Sequence, residues 1–339
     1  MIFIGMNHPK HFWMFKNIIE DLNKKQKLYK ILVSEKDVLA ELLNEANFPY
    51  IKLGVNKKGM HNKILQFIWY FLKTLALSIK YKPKIFIGQA LPHFAFASFF
   101  IIGSKFYILE DTEHVLTLHK ITVPFCTKIF TPKEFPNKFG NKQVYISSFY
   151  ELLYLHPNNF KPDPFSINKI GFTKEDKFII IRLVSWNAHH DKNEWGIDNE
   201  FLKNLIIICE NNKIKLLISS ERKLENCFLK HLINIPPSII HSLLYFAEMY
   251  IGEGATMAAE AALIGTPSVY INTLNVSYCK ELADEYNLIY NYRNTEGVIK
   301  IIENLLSNNH LKEEHKKRLK KLLLDKIDPV DYFIKLLSI

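Results

Sequence analysis

Short apolar runs along this chain alternate with stretches whose apolar residues recur every three or four positions. "IFIGM" (2–6) reads as a buried strand, and "FWMFKNIIEDLNKK" (12–25) has helical spacing. The same alternation gives "KLYKILVS" (27–34) as strand, "EKDVLAELLNEA" (35–46) as helix and "YIKLG" (50–54) as strand. A long helix follows over 61–82, then "KIFIG" (84–88), a helix within "LPHFAFASFFIIG" (91–103) closed by Gly103, and "KFYIL" (105–109). Residues 131–168, rich in Pro, Asn and Lys, lack strong periodicity and read as a linker. The pattern then restarts with "KFIIIRLVS", "NEFLKNLIIICENN", "IKLLISS", "IHSLLYFAE", "MYIGE", "TMAAEAALIG" and "PSVYIN". Strand–helix alternation predicts parallel sheets with helices on both faces. The expected fold class is therefore α/β, with two Rossmann-like, doubly wound parallel-sheet domains facing across a cleft between strand C-termini. The expected division is 1–165, 166–325 and a C-terminal helix over 326–339 that packs outside or crosses back to the first domain.

The length of 339 residues suits two domains, and 48% hydrophobic with 23% charged residues is the balance of a folded globular chain. The stretch 85–103 has about the length of a bilayer crossing, but Gln89, Pro92 and His93 interrupt it, so no membrane span is expected. Met1 leads directly into "IFIG" without a basic n-region or cleavage site, which predicts no signal peptide. The cysteines Cys126, Cys209, Cys227 and Cys279 are scattered and read as reduced thiols of a cytoplasmic protein. The net charge of +10 lies wholly in the first half: residues 1–165 hold 22 Lys and Arg against 12 Asp and Glu, and the remainder 22 against 22. Such an excess either faces an anionic membrane or acceptor, at the inner face of the membrane, or is a solvated lysine surface. No nucleic-acid partner is expected, because no dense basic run or aromatic ladder is present.

The richest chemistry lies in "GEGATMAAEAALIGTPSVYIN" (252–272). Gly252 and Gly254 let a ligand approach the backbone. Residues Ala255, Thr256 and Met257 then open a helix whose free N–H groups and positive dipole end suit a phosphate. Glu260 lies one turn beyond Thr256 on the same side, where a carboxylate accepts both hydroxyls of a ribose; the competing reading is a packed helix with Glu260 paired locally. Gly265 ends the helix. "RLVSWNAHHD" adds Arg182 for a diphosphate, Trp186 for stacking and Asn187 for hydrogen bonding. His189, His190 and Asp191 are adjacent and cannot easily converge on one ion, so no metal is expected. "LISSER" offers Ser219 and Ser220, with Glu221 or Arg222, to a base or phosphate. In the first half, His8 follows the first strand, and Asp111, Glu113 and His114 follow "KFYIL". A general base for an acceptor hydroxyl is expected among His8, Asp111 and Glu113, although helix capping accounts for part of each cluster.

The 252–272 stretch resembles the donor-site segment of two-domain GT-B glycosyltransferases, the lipid II-forming enzymes among them. It is also similar to the Gly-rich segment of non-hydrolysing UDP-GlcNAc 2-epimerases, from whose Ser-Gly-Gly "GEGAT" departs. "GMNHPKHFWMFKNIIEDL", "LEDTEHV", "RLVSWNAHHD", "LISSER" and this stretch, in order, resemble a domain-of-unknown-function family described as related to lipid-A-disaccharide synthase. The resemblance implies a metal-independent glycosyltransferase without a cofactor, whose donor is a UDP-linked nucleotide-diphosphate sugar and whose acceptor is a glycan or lipid-linked envelope precursor. The rivals are a nucleotide-sugar 2-epimerase and a non-catalytic nucleotide-sugar-binding protein.

Overall fold

The computed structural model describes residues 1–35, 37–55, 60–185 and 196–337. Strands β1 (Ile2–Met6), β2 (Tyr29–Glu35), β3 (Tyr50–Val55), β4 (Ile85–Gly88), β5 (Lys105–Leu109), β6 (Lys128–Pro132) and β7 (Gln143–Ile146) form a first sheet. Helices α1 (Pro9–Lys24), α2 (Asp37–Glu45), α3 (Met60–Tyr81), α4 (Pro92–Phe100) and α5 (Leu116–Thr122) connect them, and the short α6 (Leu152–Leu155) and α7 (Phe165–Asn168) follow. The second sheet holds β8 (Phe178–Leu183), β9 (Lys215–Ser220), β10 (Met249–Gly252), β11 (Ser268–Ile271) and β12 (Ile289–Tyr292). Its helices are α8 (Asn199–Asn211), α9 (Ile240–Phe246), α10 (Ala255–Leu263), α11 (Ser277–Asp284), α12 (Val298–Ser307) and α13 (Leu311–Asp325), before a final α14 (Pro329–Leu337).

The chain forms two compact units, Met1–Tyr154 with Ile327–Ile339, and Leu155–Lys326. The sequence places the first boundary at 165; residues 155–165 instead cluster with the second unit, where the Asp163 N–H donates to Ser242 Oγ at 3.0 Å and Phe160 meets the His241 ring edge-on. Helix α14 belongs to the first unit, where Phe333 sits fully buried against Phe130 and Tyr150.

All strand pairs are parallel, in the orders β3-β2-β1-β4-β5-β6-β7 and β12-β11-β10-β8-β9. The central strands are buried end to end, which is why they read as unbroken apolar runs. Right-handed crossovers put α1 and α2 on one face of the first sheet and α3, α4 and α5 on the other, and the packing of α1 with α2 and α14, and of α4 with α3 and α5, agrees. The linker expected over 131–168 contains β7, and β6 and β12 also lie outside the predicted elements. β7 and β12 are edge strands with half-exposed positions, so neither shows a full apolar run, whereas β6 is an inner strand with only a short one. Gly265 adopts a left-handed φ of 84° just past α10 and ends the helix as expected. No helix among the described residues is long and apolar enough to cross a membrane.

Phe333→Ala is expected to destabilise the first unit by about 3–5 kcal/mol, the cost of an unfilled buried aromatic site. Denaturant unfolding, followed with a probe in each unit, would show the loss in the first unit alone.

Candidate functional site

In each sheet the strand order reverses beside the first strand of the unit, at β1/β4 and at β8/β10. Such switch points open a crevice at the carboxyl ends of the strands, where doubly wound sheets hold ligands. Of the predicted site residues, Arg182 and Gly254 lie at the second of these places and His8 and Asp111 at the first.

At β8/β10, Arg182 and Gly252 are direct register partners, and the Glu253 N–H donates to the Arg182 carbonyl at 3.2 Å. The strand pairing thus joins two segments that the sequence separates by seventy residues. Gly252 and Gly254 differ in purpose. A Cβ on Gly252 would lie 2.2 Å from the Tyr250 hydroxyl, so that glycine is required by the packing beneath it. Among the described residues, a Cβ on Gly254 would meet Val184 alone, at 3.7 Å, in ordinary van der Waals contact, so nothing described there crowds the mouth of α10. Gly254 is the N-cap residue and no side chain among the described residues caps the helix; the first-turn N–H groups of Ala255, Thr256 and Met257 have no intrahelical acceptor. These three residues are half-buried. Tyr250 Oη is buried beside the same bend without a hydrogen-bond partner among the described residues, and burial holds its pKa well above the ordinary tyrosine range.

Arg182 is held side-on: Nη1 donates to Ser219 Oγ at 2.6 Å and Nη2 to Glu221 Oε1 at 2.5 Å. Ser220 belongs to the turn instead, donating to the Arg222 carbonyl and accepting the Arg222 N–H. Glu260 is 5% exposed, and its Oε1 lies 3.2 Å from Nε2 of the equally buried His241 on α9. Thr256 and Glu260 share a side of α10 as predicted, but the hydroxyl is half-buried and the carboxylate lies deeper, against a histidine. Trp186 and Asn187, together with His189, His190 and Asp191, lie outside the described residues.

Glu253 is a residue that the sequence reading missed. Its buried carboxylate accepts the Val184 N–H at 2.8 Å and the Ile197 N–H at 2.7 Å and meets Arg222 Nη1 at 3.2 Å. It therefore holds the backbone just after β8 and just before α8. The available signal was a carboxylate between two glycines at the end of a buried strand, an expensive place for a charge without several donors.

At β1/β4 the structure brings together residues from four segments. His8 is exposed and N-caps α1 by accepting the Lys10 N–H at 3.2 Å. His11 is buried; its Nδ1 accepts the Asn7 N–H, so Nε2 carries the proton and donates to Gln89 Oε1 at 2.7 Å. Gln89 Nε2 in turn donates to Asp111 Oδ1 at 3.3 Å. Lys10 Nζ donates to Asp111 Oδ2 and, at 2.7 Å, to Glu151 Oε1. One nearly buried ammonium thus serves two buried carboxylates. Burial, the largest influence, and the nearby Asp111 raise the pKa of Glu151, against the pull of Lys10. Burial and the neighbouring His8 push the His11 pKa down to about 3. Glu113 is buried separately, with Oε1 3.8 Å from His114 Nε2. Lys10, Gln89 and Glu151 were not predicted. Lys10 had a signal in the sequence: the first turn of a helix is the positive end of its dipole, so a lysine there implies an anionic partner.

Among the described residues no three His, Cys, Asp or Glu side chains converge as a metal site. The four cysteines are thiols outside any disulfide, and burial pushes Cys126 up to about 11 and Cys209 to about 12.

Lys10→Met should destabilise the first unit by about 3–5 kcal/mol by stranding two buried carboxylates, and adding Glu151→Gln should recover part of the loss. Chemical denaturation of the two single variants and the double variant measures the coupling. Buried His11 gives a second expectation. Its unfolded form takes up a proton near pH 6.5, whereas the folded form resists until about pH 3, so stability is complete above 6.5 and falls as pH drops below it. By pH 5 the loss is about 2 kcal/mol from this group. The thermal midpoint of His11→Gln should therefore fall less between pH 7.5 and 5 than that of the unaltered chain.

Solved structures share this architecture across nearly the whole chain. The UDP-GlcNAc 2-epimerase of Methanocaldococcus jannaschii, in complex with UDP-GlcNAc and UDP, matches with a TM-score of 0.63 at 14% identity, covering 94% of this chain and 99% of its own. The UDP-GlcNAc 2-epimerase of Neisseria meningitidis bound to UDP-GlcNAc gives 0.65 at 12% identity, with 93% of each chain covered. The spinosyn forosaminyltransferase SpnP gives 0.66 at 10% identity, covering 100% of this chain and 99% of its own. These likenesses establish the fold as two Rossmann-like parallel-sheet units of the GT-B and epimerase kind. In sequence, the uncharacterized protein MJ0665 of Methanocaldococcus jannaschii is 23% identical over 291 residues, 79% of this chain and 80% of its own length. The family described as "Protein of unknown function (DUF354)" matches residues 1–333, and the chain belongs to that family.

Proposed function

We propose that this protein is a GT-B-type glycosyltransferase whose second unit holds a nucleotide-diphosphate sugar, UDP-linked. The observation that carries the reading is the register of Arg182 against Gly252 at the β8/β10 switch point, beside the uncapped N-terminus of α10. The diphosphate sits on the N–H groups of Ala255, Thr256 and Met257, and Arg182 turns from Glu221 toward it; helix dipole and guanidinium together neutralise the leaving group without a metal. Ser219 orients the guanidinium. Glu260, steadied by His241, takes the ribose hydroxyls. The structures of relatives in fold that carry UDP-GlcNAc and UDP support a donor of this class. In the transfer, the acceptor oxygen forms a bond to the anomeric carbon as the bond to the diphosphate breaks, and a base takes the acceptor proton. Asp111 is our choice of base from the first unit, because Lys10 and Gln89 fix its carboxylate in a defined orientation. His8 and Glu113 remain the alternatives. The acceptor is a glycan or lipid-linked envelope precursor.

A 2-epimerase reading draws on the same buried acid–base cluster of Lys10, His11, Asp111 and Glu151, which suits proton transfer on the donor sugar itself. Incubation with UDP-GlcNAc alone separates the two, since only an epimerase forms a new sugar without an acceptor.

Calorimetric titration with UDP tests the donor site. Arg182→Ala should weaken binding roughly ten- to hundredfold, as expected for the loss of a charge-assisted contact. Gly254→Val should weaken it at least as much while leaving the thermal midpoint of the second unit unchanged. Undiminished affinity in both variants would remove the site from the β8/β10 crevice.

A further inference from the structure

Helix α3 is apolar on two sides. Its inner side packs Tyr70, Leu77 and Tyr81 on the core and carries the wholly buried Thr74 and Ser78, whose hydroxyl is spent on the Thr74 carbonyl. Its outward side carries Ile64, Leu65, Ile68 and Leu72, which fall within one arc of the helix and are all exposed, Leu72 at 53%. A helix that packs only against its own sheet has a polar outer face. The apolar surface does not end there. Helix α4 lies alongside on the same sheet face, joined by the Phe67–Phe96, Phe71–Phe96 and Phe71–Phe100 ring contacts, and exposes Phe99 and Phe100. Ile102, beyond the end of α4, is fully exposed. Trp69 also stands half out of the surface, its indole N–H tied to the Leu53 carbonyl at 3.0 Å. A contiguous exposed apolar face of this kind marks an interaction surface.

The charge around it identifies the occupant. Residues 46–109, which supply α3, α4 and the strands beneath them, contain nine lysines and no aspartate or glutamate. Lys63 and Lys80 are exposed on α3 itself, and Lys82, Lys84 and Lys105 are exposed along the strand starts where α3 and α4 end. A second copy of the chain would bring lysines against lysines. We infer that the exposed face of α3 and α4 docks on an anionic phospholipid bilayer, with Ile64, Ile68, Leu72, Phe99 and Ile102 entering the headgroup–acyl boundary and the lysines contacting lipid phosphates. Apolar side chains backed by lysines, with a hydrogen-bonded indole at the edge, are the composition that holds a helix in that interface. The inference does not depend on the donor reading and makes no use of the β8/β10 crevice.

Flotation of the full chain with phospholipid vesicles tests it, alongside its sedimentation in solution. The chain should float with phosphatidylcholine–phosphatidylglycerol vesicles, much less with phosphatidylcholine alone, and less as salt is raised. Lys63→Gln with Lys80→Gln should weaken anionic-vesicle binding about thirtyfold, the effect expected for two surface lysines. Leu72→Asp with Ile102→Asp, at positions already exposed, should abolish flotation with unchanged circular dichroism and thermal midpoint. Failure of the unaltered chain to float with anionic vesicles, equal flotation with neutral ones, or a chain dimer that the aspartate pair dissociates would overturn the assignment. So would either double variant binding like the unaltered chain.

Discussion

The constraint on which the site depends is the reversal of strand order beside the first strand of each sheet. A parallel sheet directs every strand's carboxyl end to one edge, and the two crossover directions part at β1/β4 and at β8/β10. Only at those points are the loops on either side carried away from each other, so only there can polar side chains meet without a helix lying over them. The strand register then does the positioning. Arg182 stands level with Gly252 because β8 pairs with β10 residue for residue, and Lys10 reaches Asp111 because α1 begins at the edge where β5 ends.

These edges carry buried charge, and its arrangement differs between the units. In the first, one ammonium is divided between two carboxylates, and a neutral histidine and a glutamine extend the chain of donors. In the second, Glu253 takes the Val184 and Ile197 N–H groups and a guanidinium, so a single carboxylate holds backbone groups instead of a side-chain cluster. Both arrangements compensate a desolvation penalty that would be several kcal/mol per ion if left unanswered. Each also fixes geometry at the strand ends, where chemistry needs groups held still.

Much of the fold was legible because strands buried on both faces are written as continuous apolar runs. Among the exceptions, β7 and β12 are edge strands whose "QVYI" and "IYNY" mix exposed with buried positions, and β6 is an inner strand whose "KIFTP" holds too short an apolar run to stand out. The predicted site residues that come together, Arg182 with Gly252 and Gly254, were legible because each stands at the end of such a run. Lys10 with Glu151 and Glu253 with Ile197 were not, since their partners lie 141 and 56 residues away and nothing local encodes the pairing. Glu260 is intermediate. Its place on α10 followed from helical spacing, whereas its burial against His241 depends on α9, which spacing does not locate.

Helix α14 has a consequence for how the protein is made. The first unit takes its closing helix from residues 329–337, after the whole of the second unit in the chain. Synthesis runs from the N-terminus and domains fold as units. The second unit is therefore complete on the ribosome before the first can cover Phe130 and Tyr150 with Phe333. For that interval the nascent first unit carries an uncovered aromatic surface, which makes it the half of the protein that a holding chaperone would bind.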